Sequence, residues 1–220
     1  MTEKINKEQI EIIPLFPIPL VRTNIGRDFT KDELQLLFSD IPMYKDTGEG
    51  VSNHRSKDFY LFDNEFAERL KGIKKFCELQ LVWYLENIEG VDTDLATLRI
   101  TQSWLNKNKP NESHPRHFHP NSYLSAVLYI TCLPNDSINL ENRAYGLYNN
   151  MIFPKKKTTN WNSSGFKQNV TEGDLIIFPS WVLHHVDLNE TKNRERISLS
   201  FDTFPIGEMG DYGGATHLKL

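Results

Sequence analysis

The sequence predicts a mainly β fold, in which helical stretches near the N-terminus brace an antiparallel sandwich or barrel. Three observations carry that prediction. Apolar residues at helical spacing are confined to the first 94 or so positions. From about residue 95 onward the chain turns to short β-branched and apolar runs separated by turn signals. Strands and helices do not alternate as a βαβ fold would require.

Taken in order, residues 12–21 are apolar but hold Pro14, Pro17 and Pro19, which suits an edge strand or an extended arm lying on the core. Residues 30–39 read as a helix: Thr30 can cap, Asp32 and Glu33 favour the first turn, and Leu34, Leu37 and Phe38 form a stripe. Residues 64–87 form the clearest helical pattern. Asn64 serves as N-cap, Gly90 stands just past the end, and Phe66, Leu70, Ile73, Phe76 or Cys77, and Trp83 recur at helical spacing. Strands are predicted over 95–105, 122–133, 174–178, 182–188 and 196–204, with Thr171-Glu172-Gly173-Asp174 as a turn before the third. Residues 139–167, rich in Asn, Lys and Ser, match no element and read either as an insertion near the barrel mouth, with Trp161 and Lys155 to Lys157 on its rim, or as a solvated surface loop. The 220 residues are therefore one domain: an arm and bracing helices over 12–94, and a barrel core over 95–205.

Composition narrows the function. Hydrophobic residues make up 39% and charged residues 25%, values typical of a soluble globular protein. A net charge of -4 argues against a general nucleic-acid binder. No apolar run is long enough to span a bilayer, and residues 1–11 lack the apolar core of a secretory signal. A cytoplasmic protein is expected, with Cys77 and Cys132 as buried free thiols and the Asn-x-Ser/Thr triplets as chance matches. The expected partner is a small-molecule or protein substrate, and a homo-oligomer is left open.

The chemistry concentrates in a few histidines. His117 and His119 stand at i, i+2, so in an extended segment both imidazoles leave one face. His184 follows an apolar run that reads as a neighbouring strand. Imidazole nitrogen ligates iron, zinc, copper and nickel, and a mononuclear site needs three or four such groups to converge. His114 is a reserve candidate, whereas His185 points to the face opposite His184. Downstream, Arg196 and Ser198 share a face. A guanidinium binds carboxylate in two charge-assisted bonds, so this pair reads as a clamp for a dicarboxylate beside a non-haem iron.

These residues resemble the Fe(II)- and 2-oxoglutarate-dependent oxygenases. That family's signature is H-x-D/E, a distant H, then R-x-S or R-x-T, and its fold is a double-stranded β-helix, a jelly-roll barrel like that of the cupins. The stretches His117 to Tyr129, Gly173 to Val186 and Arg196 to Phe201 are similar to a subgroup reading H-x-H-P-N-S-x-L-S-x-V-x-Y, G-D-L-x-x-F-P-S-W-x-x-H-x-V and R-I-S-x-S-F. The resemblance implies Fe(II) and 2-oxoglutarate as cofactors. His117 and His184 match the two histidine ligands, and Arg196 and Ser198 match the pair that holds the far carboxylate of 2-oxoglutarate. Asn106, Asn108, Ser125 and Tyr129 are further cosubstrate candidates. The implied reaction is hydroxylation with release of succinate and carbon dioxide.

The sequence departs from the family at one position: His119 stands where the carboxylate ligand belongs. Halogenases of the wider family also lack that carboxylate, but carry a small residue in its place. A three-histidine iron site is therefore the expectation. Two rivals remain at this level: a cupin-like three-histidine dioxygenase that does not use 2-oxoglutarate, and a non-catalytic jelly-roll module that binds a metal or ligand. Neither needs an arginine twelve residues after His184.

Overall fold

The computed structural model describes residues 11–46, 53–143, 145 and 153–220. Twelve strands are present among them: β1 (Val21–Asn24), β2 (Met43–Lys45), β3 (His54–Ser56), β4 (Ala96–Asn108), β5 (His114–His117), β6 (Leu124–Thr131), β7 (Ser137–Glu141), β8 (Gly165–Asn169), β9 (Asp174–Pro179), β10 (Leu183–Val186), β11 (Arg196–Met209) and β12 (Leu218–Lys219). They form two sheets. The larger runs β1-β9-β6-β11-β4-β3-β2, with β12 added to β11, and the smaller runs β5-β10-β7-β8. All these pairings are antiparallel.

Helices α1 (Lys31–Gln35) and α2 (Ala67–Tyr84) each run into a π turn, Leu36–Asp40 and Leu85–Glu89. Thr30 caps α1 as expected, in a capping box: its hydroxyl accepts from the Glu33 N–H, and the Glu33 carboxylate accepts from the Thr30 N–H. Asn64 falls short of its predicted place as N-cap of α2. Its side chain accepts from the Phe66 N–H in a turn that precedes the helix, which begins at Ala67. Gly90 closes the following π turn in the left-handed conformation. The buried stripe is Leu70, Ile73, Cys77, Leu81 and Tyr84, while Trp83 and Phe38 are exposed, against expectation. The helix phase rotates those two rings away from the sheet.

Period-two alternation in the large sheet divides the core in two. One face carries Leu105, Leu128, Leu175, Ile177, Ile197, Leu199 and Phe201, which pack with Leu70, Ile73 and Leu81 of α2 and with Leu36 and Leu37. The other face turns toward the small sheet. There Tyr129, Ile176 and Phe178 meet Ile138, Leu140 and Val182. The barrel interior lies between the sheets, as in a jelly roll.

Several boundaries shift. Residues 12–20 form no strand, and the edge strand starts at Val21, after the last proline. The stretch 139–167 is not wholly irregular. Its two ends belong to β7 and β8, paired from Ser137↔Asn169 to Glu141↔Gly165 as arms of a hairpin. Alternation is weak there because β8 is exposed along most of its length. Residues 144 and 146–152, within that stretch, lie outside the described residues. Among the described residues, no helix is long and apolar enough to cross a membrane.

Candidate active site

His117 ends β5 and His184 lies in β10. The two strands pair so that these residues are direct partners. His119 sits in the turn just past β5, where its N–H donates to the Ser180 carbonyl at 2.9 Å. The rings converge: centroids lie 4.2 Å apart for His117 and His184, and 5.1 Å from His119 to each. One ring nitrogen from each histidine falls within 4.8 Å of the other two.

The hydrogen bonds decide which nitrogen that is. His117 Nδ1 lies 2.9 Å from the Pro115 carbonyl, His184 Nδ1 lies 3.0 Å from the Val182 carbonyl, and His119 Nδ1 lies 2.8 and 2.9 Å from the two Asp202 oxygens. Carbonyls and carboxylates accept only, so each Nδ1 carries a proton and Nε2 is the nitrogen left to face a metal. His119 Nε2 is buried and has no hydrogen-bond partner. Burial pushes the His117 imidazole down to about 4 and, with its imidazole neighbours, holds His184 well below the usual range. Both rings are neutral at pH 7, the form a metal requires. Three imidazole nitrogens suit a borderline divalent metal such as iron, nickel or zinc.

The same cavity holds Arg196, which is 2% exposed. Its Nη2 donates to the Ser137 carbonyl at 3.0 Å, its Nε lies 3.3 Å from Asp136, and its guanidinium lies over the Tyr129 ring at 5.0 Å. Nη1 is buried without a partner. A donor left so costs about 1–3 kcal/mol, which an incoming carboxylate would recover. The site thus pairs a metal-ligand set with an unsatisfied cation in one pocket between the sheets.

Residues 102–202 match the family model described as "Putative 2OG-Fe(II) oxygenase". The chain has the double-stranded β-helix of the 2OG-Fe(II) oxygenases. Solved structures with the same architecture include the viral collagen prolyl hydroxylase of Paramecium Bursaria Chlorella virus-1 in its 2OG complex, at TM-score 0.53 and 11% identity, covering 84% of this chain and 94% of that one. A Pseudomonas putida prolyl-4-hydroxylase is similar at TM-score 0.50 and 16% identity, over 84% and 92%. HygX from Streptomyces hygroscopicus, with nickel, 2-oxoglutarate and hygromycin B bound, is similar at TM-score 0.51 and 12% identity, over 84% and 82%. No curated protein sequence matches the chain.

Within this oxygenase fold, the remaining site residues divide. Asn106, Asn108, Ser198 and Tyr129 all face the cavity with Arg196. Asn108 Nδ2 is buried without a partner, whereas Asn106 is engaged by Asn53 and Ser200. Burial pushes the Tyr129 hydroxyl up to about 12, so it stays a donor. Ser125 also lines the cavity, but its hydroxyl is committed to Asp202 at 2.6 Å. His114 packs tilted against His117, with ring centroids 4.2 Å apart, and stays outside the ligand group. His185 turns away toward Glu141 and Asp187.

Sequence reasoning missed Asp202, Ser200 and Trp104 as parts of this site. The indole of Trp104 stacks on the His119 ring at 5.5 Å and 25°. The signal was there in part: Arg196, Ser198, Ser200 and Asp202 alternate with Ile197, Leu199 and Phe201 along β11, and so share one polar face.

Proposed function

We propose that this protein is a 2-oxoglutarate-dependent non-haem iron oxygenase that hydroxylates a small-molecule or protein substrate. The observation that carries the reading is the pairing of three outward-anchored imidazoles with a buried, partly unsatisfied Arg196 in one cavity. Iron(II) would be held by the Nε2 atoms of His117, His119 and His184. The far carboxylate of 2-oxoglutarate would be held by Arg196 and Ser198, with Tyr129 and Asn108 as further donors. When bound, the metal and the keto acid supply the oxidation itself, with succinate and carbon dioxide as co-products.

The chain's own contribution is geometry and exclusion of water. The carbonyls of Pro115 and Val182 fix the tautomers and tilt of two ligand rings. Phe178 packs edge-on against His184 at 4.8 Å and closes the apolar side of the pocket. Arg196 is seated by Asp136, Ser137 and the Tyr129 ring, so its charge is in place before an anion arrives. The solved structures that carry 2OG, or nickel with 2-oxoglutarate, in the same barrel support this reading. Free Cys77 and Cys132 fit the cytoplasm we propose as its compartment.

The test is anaerobic addition of Fe(II) and 2-oxoglutarate, reading the visible metal-to-ligand charge-transfer band, followed by oxygen and a succinate assay. A folded protein that gives no band is not a 2-oxoglutarate oxygenase. His117→Ala should abolish the band, and its retention would overturn the ligand assignment.

A further inference from the structure

We propose that Asp202 is a positioning residue for the metal. It fixes His119 as a ligand and holds, one imidazole away, the negative charge that the family's H-x-D/E triad puts on the metal itself. This inference rests on the oxygenase reading above, and it concerns how a site without the usual carboxylate ligand is completed.

The geometry at His119 is restrictive. Both Asp202 oxygens reach Nδ1, at 2.8 and 2.9 Å. The two ring nitrogens face opposite ways, so a carboxylate at Nδ1 stands behind the ring and away from the point where the three Nε2 atoms meet. The ring is then held in three further ways. Trp104 stacks on its face, the His119 N–H is tied to Ser180, and the rings of His117 and His184 flank it. Nε2 is the one side-chain nitrogen of His119 left buried and unpartnered.

Asp202 is itself locked. It is 8% exposed, and Ser125 Oγ donates to its Oδ1 at 2.6 Å. Ser125 Oγ lies 2.8 Å from Ser180 Oγ, which in turn donates to Ser122 Oγ at 2.7 Å. Ser125 and His119 together satisfy the carboxylate, so it has no reason to swing into the pocket. A carboxylate behind a ligating imidazole fixes the tautomer and raises ligand basicity. That compensates, in kind, for the charge lost when His119 replaces an acidic ligand.

The experiment titrates the apoprotein with cobalt(II) alone, without 2-oxoglutarate or oxygen, by calorimetry and by the cobalt visible spectrum. Asp202→Asn keeps the shape but removes the charge, and its amide can donate to Nδ1 and so reverse the tautomer. It should weaken cobalt binding about 10–100-fold, with Asp202→Glu recovering part of the loss. In a His119→Ala background, Asp202→Asn should cause no further change, because the effect runs through His119. An equal loss in both backgrounds, or no loss in a folded Asp202→Asn protein, overturns the proposal. In either case abolition of binding by His117→Ala would leave the oxygenase reading standing. Wild-type protein that takes no cobalt would overturn both. Should Asp202→Asn fail to fold, Ser125→Ala serves in its place. A smaller loss of affinity that vanishes in the His119→Ala background supports the proposal, and one that persists there overturns it.

Discussion

Arg196 is the largest fully buried side chain among the described residues, and its neighbours do not use all of its donors. Truncating one partner of a buried charge pair costs about 2–5 kcal/mol. Arg196→Ala should therefore weaken 2-oxoglutarate binding by roughly 10²-fold or more, read from anaerobic titration of the charge-transfer band. Arg196→Lys should recover only part, because an ammonium cannot offer two parallel bonds. Affinity unchanged in Arg196→Ala would place the anion clamp elsewhere. His119 poses the complementary problem. Its ring is constrained by Trp104, Asp202 and Ser180, and what distinguishes it from a buried structural histidine is an Nε2 with nothing to bond.

Strand β11 is the element on which both halves of the site depend. It pairs with β4 over most of its length and with β6 over its first half, presents Arg196, Ser198 and Ser200 to the cavity, sets Asp202 behind the His119 ring, and buries Ile197, Leu199 and Phe201 on the opposite face. Gly207, near its end, has φ +103 and approaches the Leu95 carbonyl so closely that a Cβ would collide with backbone. Gly207→Ala should lower the melting temperature by several degrees, and an unchanged melt would show that the end of β11 can shift freely. Helix α2 acts from the other face. Leu70→Ala removes a fully buried side chain from the helix–sheet core and should cost about 2–5 kcal/mol in denaturant unfolding. Cobalt affinity of the folded variant should stay at the wild-type value, since Leu70 lies in the core on the far side of the sheet.

For the molecule as a whole, two buried carboxylates tie neighbouring segments together: Asp174 joins β9 to the edge strand β1, and Glu33 holds the start of α1 to Arg27. Burial alone would raise the Asp174 carboxyl, but hydrogen bonds from Asn24, Thr171 and Arg22 outweigh it and hold the group below its usual range. Burial likewise opposes ionisation of Glu33, and the bonds from Arg27 and Thr30 win there too. Both groups have folded values below their unfolded ones. Their stabilisation is present above the unfolded carboxylate range, about 3.9–4.3, and is lost as pH falls through the depressed folded values. Urea midpoints measured from pH 7 down to 3 should fall, and Asp174→Asn should flatten that decline. An identical acid profile in wild type and variant would remove Asp174 from the account.

The sequence by itself determined the fold class, the capped first helix, and the candidate site residues His117, His119 and His184, then Arg196 and Ser198. Local spacing at i, i+2 and i, i+4 is a property of the chain alone and gave the helix, the strands and the His117/His119 pair, whereas the addition of His184, Arg196 and Ser198 drew on the resemblance to the oxygenase signature. Only the tertiary structure decided that His117 and His184 are direct strand partners, that Ser125 serves Asp202, and that Asp202 stands behind His119. Asp202 lies 83 residues from His119 along the chain. No local periodicity encodes such a pairing; it arises where strand β11 passes behind the turn that follows β5, and burial there leaves each polar atom dependent on the partner opposite it.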